Sequence, residues 1–170
     1  AGLRAHEARH EFFIGEIQPG FVDCAGIESP GLSSAPAIGA MVSGIVKDIL
    51  KLEENPGFES KRKGILDPKG LDAEARAALI RENPAYGTVI CRCETVTEGE
   101  IVDAIRRVPG ARSVDGVKRR VRAGMGRCQG GFCSPRVMEI LARELGVDQS
   151  AITKAGAGSE LIVGVNKDAI

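Results

Sequence analysis

A chain of 170 residues and 17.9 kDa is long enough for one domain or two small ones. Its 23 Lys and Arg balance 23 Asp and Glu, and the formal net charge of +0 excludes a global pull toward nucleic acid or an anionic membrane surface. Aromatic residues make up 4% of the chain and Trp is absent, so a core has to be built from Ile, Val, Leu and Ala.

The opening stretch AGLRAHEARH carries charges where an export signal needs an apolar run, and no apolar stretch approaches the length of a membrane span. The expectation is a cytoplasmic protein. Five cysteines, an odd number without an export signal, favour reduced thiols that bind metal over a disulfide framework. His6 and His10 stand four apart, but no third donor lies close by in sequence, and the pair reads as surface histidines.

Two short apolar runs, Phe12 to Ile17 and Phe21 to Ala25, flank a Gln18-Pro19-Gly20 turn and predict a β-hairpin or two neighbouring strands. Cys24, inside the second run, reads as a buried structural thiol. A helix follows, with Ile38, Met41, Val42, Ile45, Ile49 and Leu52 at helical spacing. Ala37, Ala40 and Val46 carry its apolar surface around nearly the whole circumference, so it requires cover on most sides. Fewer than 40 preceding residues cannot provide that cover, and a partner or a larger parent protein is expected. The Ser29-Pro30-Gly31 loop and Ser33-Ser34 precede this helix, where free amides suit an anion or an electron-rich ring oxygen.

From Glu53 to Gly70 the chain is polar and punctuated, with Asn55-Pro56-Gly57, Lys61-Arg62-Lys63 and Asp67-Pro68, and reads as a linker. Asp72 is placed to cap a short helix that Asn83-Pro84 ends. Thr88 to Ile90 is strand-prone and leads into Cys91; Thr97 and Glu100 form a T-x-x-E capping box for a helix reaching Arg107, with Ile101, Ile105 and Val108 as its apolar stripe. Val114, Val117 and Val121 mark the next helix. Ser134 and Pro135 are expected to cap and open a third, whose inner face is Val137, Met138, Leu141 and Leu145 and whose end is Gly146. A strand is expected within Ser159 to Val163.

Four cysteines form two close pairs, CRC (Cys91, Cys93) and CQGGFC (Cys128, Cys133), and the helices would bring both to one end of the unit. Two loops that each contribute a pair of thiolates can surround one metal centre. Structural zinc usually takes its pairs from CxxC knuckles, whereas here one pair has a single spacer and the other four, including Gly130 and Gly131. A two-iron cluster is wider than one ion, and a glycine-rich loop can turn amides toward it. The spacing points to [2Fe-2S], with zinc, or buried or disulfide-linked cysteines without metal, as the alternatives. Arg92, Arg127 and the run Lys118, Arg119, Arg120, Arg122 supply cations that would raise a cluster's potential; the run also reads as a solvated helix face. A basic helix is also a nucleic-acid footprint, but aromatic interleaving and overall basicity are missing. No GxGxxG fingerprint is present, and no Ser/His/Asp or Cys/His catalytic set can be assembled.

The stretch TVICRCETVTEGEI, with GMGRCQGGFC about thirty residues later, closely resembles the bacterioferritin-associated-ferredoxin-like [2Fe-2S] domain. Gly2-Leu3-Arg4 and AGIESPGLSSAPAIG resemble the C-terminal end of the FAD domain of D-amino-acid-oxidase-type flavoenzymes. In this order, with the NPAYG joint and the KAGAGSELIVG tail, they are similar to the C-terminal part of FAD-dependent glycerol-3-phosphate dehydrogenases of the anaerobic type.

The resemblance implies an α+β chain: a short β-hairpin plus helix from the end of an FAD domain (1–52), a linker with a short helix (53–86), a small, mainly helical [2Fe-2S]-binding domain (87–146) and a tail (147–170). It implies that Cys91, Cys93, Cys128 and Cys133 bind the cluster, that Arg4 holds the substrate's anionic group, and that Gly31, Leu32 and Ser33 lie against the flavin. FAD, a small phosphorylated polyol and an electron-acceptor protein or quinone-linked subunit belong to the full-length enzyme. With the FAD-binding GxGxxG unit absent from these 170 residues, turnover is expected to need a missing N-terminal FAD domain, and membrane association to come only through a partner subunit.

Overall fold

The computed structural model describes residues 3–164, and the chain divides into two compact units, residues 1–61 and 62–170. Helices and two small two-stranded sheets make it a mixed α+β chain. Gly2 of the GLR motif lies outside the described residues.

In the first unit, β1 (Phe13–Gln18) and β2 (Phe21–Ala25) pair antiparallel, Phe13 opposite Ala25 and Ile14 opposite Cys24. The turn forms where expected because Gly20 takes a φ of 79°, open to glycine without a Cβ clash. Helix α1 (Gly31–Leu50) starts earlier than its apolar spacing indicates and ends with Lys51 in the left-handed region, whose amide donates to the Lys47 carbonyl. No residue of α1 is fully buried: Ile38, Val42, Ile45 and Ile49 are half-buried on one face, while Leu32, Met41 and Leu50 are exposed. Cys24 corrects the sequence reading: it is exposed, because α1 packs on the two-stranded sheet but leaves this residue of β2 uncovered. Among the described residues no helix is long and apolar enough to cross a membrane.

The second unit holds the core. Helix α2 (Ala73–Glu82) is capped by Asp72, whose carboxylate accepts from the Ala75 amide. Strands β3 (Val89–Cys91) and β4 (Val96–Thr97) form a short hairpin whose turn carries the first cysteine pair. Three helices follow: α3 (Glu98–Arg106), α4 (Val114–Val121) and α5 (Ser134–Leu145). Ile101 and Ile105 of α3, Val117 and Val121 of α4, and Val137, Ile140 and Leu141 of α5 converge on one apolar cluster with Val96 and Ile152. Two ion pairs tie α5 to α3, Arg106 to Glu144 at 2.6 Å and Arg143 to Glu98 at 2.8 Å.

The apolar stripe of α3 ends short of Val108, which lies beyond the helix and is exposed. Residues 153 and 154 accept from the Val114 and Asp115 amides, and Lys154 pairs with Asp115 at 2.9 Å, so the chain after α5 closes over the start of α4. The tail strand reduces to one bridge, Thr153 with Glu160. Gly156 and Gly158, both at positive φ, turn the chain back too tightly for a longer ladder.

The capping box is fully formed and buried. The Thr97 amide and hydroxyl each donate to the Glu100 carboxylate at 2.7 Å, and the Glu100 amide donates back to Thr97 Oγ1. Thr97→Ala removes the cap and leaves a buried carboxylate with one donor fewer, so it is expected to cost about 1–2 kcal/mol, read as a lower denaturant midpoint with unchanged slope.

Candidate metal centre

The hairpin and the α4–α5 loop bring the two cysteine pairs to one cleft. Cys91 is the last residue of β3 and Cys93 lies in the turn to β4, held from behind by Glu94, whose carboxylate accepts from Arg122 at 2.7 Å. Arg122 stands at the end of α4 in the left-handed region, so this ion pair ties the first loop to the helix that leads into the second.

The second loop is shaped by its glycines. Gly124 and Gly130 adopt φ of 91° and 87°, and Gly126 packs so closely on Cys93 that a Cβ there would overlap the Cys93 side chain. Ser134 is not the cap of α5. Cys133, with helical backbone angles and no capping side-chain bond, takes that position, because the Ser134 amide already closes the loop onto the Gly130 carbonyl at 3.0 Å.

The four thiols meet across the motifs, Cys91 against Cys133 and Cys93 against Cys128, with Cys128 also near Cys133. The first pair is buried, at 1% and 3% exposure; Cys93 is exposed and Cys128 half-buried. Burial, and then the Cys91 sulfur, push the Cys133 thiol up to about 11. Cys128 is held below its ordinary value by the Phe132 amide first, then by Cys93 and the Gly130 amide. The glycine-rich loop thus aims amides at a sulfur. In protein free of metal, Cys128 is therefore the more nucleophilic thiol near neutral pH, while Cys133 stays protonated until far above it. Iodoacetamide under anaerobic conditions is expected to modify Cys128 before Cys133, with peptide mass spectrometry giving the order.

The donor set fits a two-iron cluster better than one zinc ion. With bonds of about 2.3 Å, a tetrahedral zinc site holds all four sulfurs within about 3.8 Å of one another. Among the described residues, the three-donor group whose ligand atoms all lie within 4.8 Å is His6, His10 and Glu28, not any three of the cysteines. A wider set of four thiols is the layout that two irons require. The cleft around them is about 620 Å³, lined also by Arg92, Arg127, Phe132 and Arg136.

Arg136, one turn into α5, is a cleft residue that the cysteine motifs do not disclose; its spacing from Cys133 on a helix is the signal that could have found it. The basic run of α4 is turned to other work. Arg119 pairs with Asp115, Arg120 donates to the Gly116 and Pro109 carbonyls, and Arg122 binds Glu94.

The residues matched to substrate and flavin lie in the first unit. Arg4 donates to Glu28 Oε2 at 2.8 Å and keeps its guanidinium largely exposed. Gly31 begins α1, where a Cβ would run into Ile27; Leu32 is 94% exposed, and Ser33 is exposed beside it.

Comparison with known proteins agrees with this centre. Residues 89–143 match the BFD-like [2Fe-2S] binding domain. Over its whole length the chain is 53% identical to a glycerol 3-phosphate dehydrogenase of Caloramator mitchellensis, covering 36% of that protein. Over 61% of its length it is 34% identical to the hydrogen cyanide synthase component HcnB of Pseudomonas protegens, and over 39% it is 36% identical to one subunit of the anaerobic glycerol-3-phosphate dehydrogenase of Escherichia coli K12. These matches cover 23% and 12% of the two relatives. No solved structure matches the chain. The chain therefore spans about a third of the length of the Caloramator relative and less of the other two. Residues 89–143 are thus similar to the BFD-like [2Fe-2S] binding domain, within a chain similar throughout to part of a glycerol 3-phosphate dehydrogenase.

Proposed function

We propose that the chain is the iron-sulfur electron-transfer portion of an FAD-dependent oxidoreductase that oxidises sn-glycerol 3-phosphate to dihydroxyacetone phosphate. The observation that carries this reading is the convergence of four thiols from two motifs on one open cleft, within a segment that matches a [2Fe-2S] domain. The substrate follows the full-length similarity to a protein named for it, and residues 1–52 and 87–146 then divide substrate and flavin contacts from electron transfer.

Cys91, Cys93, Cys128 and Cys133 hold the cluster. When bound, the cluster supplies one-electron exchange between a flavin and an outside acceptor. The protein's own part is to set potential and access. Arg92, Arg127 and Arg136 place positive charge around the cleft and favour added negative charge there, while burial of the Cys91/Cys133 side keeps water from half the site. The exposed Cys93/Cys128 side is where a redox partner approaches. On the substrate side, Arg4 offers a planar guanidinium to an anionic group, and Gly31, Leu32 and Ser33 at the start of α1 lie against the flavin. The apolar surface of α1 packs on the rest of the FAD domain. The acceptor is an electron-carrying protein or a quinone-linked subunit, and the enzyme works in the cytoplasm.

The test is rapid freezing of the full-length enzyme after mixing with sn-glycerol 3-phosphate, followed by EPR. Electron transfer predicts a reduced-cluster signal forming within the turnover time. A cluster that stays oxidised while the flavin is reduced would assign the centre to structure or redox sensing.

A further inference from the structure

His6 and His10 read as ordinary surface histidines because no third donor lies near them in sequence. The fold supplies one. Glu28, eighteen residues beyond His10, comes back through the β1–β2 hairpin and lies with its side chain 9% exposed beneath both rings. Its Oε1 faces His6 Nδ1 at 2.7 Å and His10 Nδ1 at 3.5 Å, and the Glu7 amide donates to the same atom at 3.3 Å. Its Oε2 accepts from Arg4. The two rings meet edge to face at 4.9 Å, and His10 holds this position with a φ of 57°, outside the region most residues use.

The His6 ring and the Glu7 amide hydrogen-bond to Oε1, and the His10 ring presents the same nitrogen, Nδ1, to that oxygen from 3.5 Å. A cation seated among the two Nδ1 atoms and Oε1 uses one lone pair of each, with the ring protons on Nε2. All three ligand atoms lie within 4.8 Å of one another, the compactness that a single ion requires and that the four cysteines do not show.

We propose that His6, His10 and Glu28 form a second metal site, separate from the cysteine centre, that binds a borderline divalent cation such as Zn²⁺ or Co²⁺. Two imidazoles and one carboxylate are the donor set that such ions accept in tetrahedral sites with one open position. Both histidines are largely exposed, so the open position faces solvent and takes water or an oxygen of a small ligand. Arg4 on Oε2 orients the carboxylate so that it offers one oxygen to the metal, the role that a supporting contact plays at such sites. Glu7 is not a ligand, since its carboxylate is engaged by the amide and guanidinium of Arg9. This inference does not depend on the electron-transfer role of the cysteines.

The chain has two histidines, and both belong to this site, so their imidazole signals report on it without interference from the cysteines. The experiment is a Zn²⁺ titration of the anaerobically prepared, cluster-loaded 170-residue chain, followed by ¹H–¹⁵N NMR of the imidazole nitrogens and repeated in Glu28→Gln and His10→Ala. The expected result is a saturable shift of Nδ1 in both rings, with affinity about tenfold or more weaker in each variant. His10→Ala removes an exposed ring and keeps the ion pair of Glu28 with Arg4, and the backbone amide spectrum of the metal-free variant checks that the fold is kept with alanine at this positive φ. Imidazole signals that zinc does not move, or shifts of equal affinity in the parent and His10→Ala, would overturn the proposal.

Discussion

Replacing Cys133 by serine is expected to strip the centre of its cluster, a loss greater than the roughly 10–100-fold in affinity that removal of a mere supporting contact produces. Cys133 is 3% exposed, its thiol is already pushed up to about 11 by burial, and a serine hydroxyl in the same place ionises far less readily than a thiol. Cys91→Ser behaves in the same way, since Cys91 is the partner in the buried pair. Cys93→Ser is expected to lose less, because its site is open to solvent and a water or added thiol can complete the coordination. Iron and acid-labile sulfide per chain, with the visible spectrum, rank the variants. Equal retention in Cys133→Ser and Cys93→Ser would contradict the division into a buried and an exposed pair.

The second large effect concerns the core beneath the centre. Leu141 is 0% exposed and packs with Ile101, Ile105, Val117 and Ile140. Leu141→Ala removes buried methyl groups and leaves a cavity that a helix fixed by two ion pairs cannot close, at an expected cost of about 2–5 kcal/mol. In a unit of this size the melting temperature falls on the order of 10 °C or more. Met41→Ala in α1, where the side chain is half exposed, leaves the transition of residues 62–170 in place. Anaerobic calorimetry on the two variants makes the comparison.

The parts of this structure that the sequence reveals are those in which one short stretch carries its own physical reason. Gln18-Pro19-Gly20 makes the hairpin turn because glycine alone takes the positive φ it requires. Asp72 and the Thr97/Glu100 box start α2 and α3 by binding free amides in the first turn, and the valines of α4 and the apolar stripe of α5 follow the helical period into the core. The four cysteines are legible for the same reason, as two local pairs.

What escapes depends on contacts between distant segments. Nothing in CRC or CQGGFC states that each thiol pairs with one from the other motif, since that follows from how α4 and the β3–β4 hairpin dock. Cys24 reads as buried because its run is apolar, but burial needs cover at that residue, and α1 packs on the sheet while leaving it uncovered. Ser134 has the right chemistry for a cap and loses the position to Cys133, because the loop closes onto Gly130 one residue earlier. Glu28 joins His6 and His10 only once the hairpin has reversed the chain, and sequence proximity is the wrong guide to it.

Metal and sulfide analysis combined with EPR on the anaerobically purified chain bears most directly on the central claim, that Cys91, Cys93, Cys128 and Cys133 hold a redox-active [2Fe-2S] cluster. The account predicts iron and acid-labile sulfide in equal amounts, visible absorbance that bleaches on reduction, and an EPR signal in the reduced state. Stoichiometric zinc at the four cysteines, with no visible bands and no signal on reduction, would contradict it.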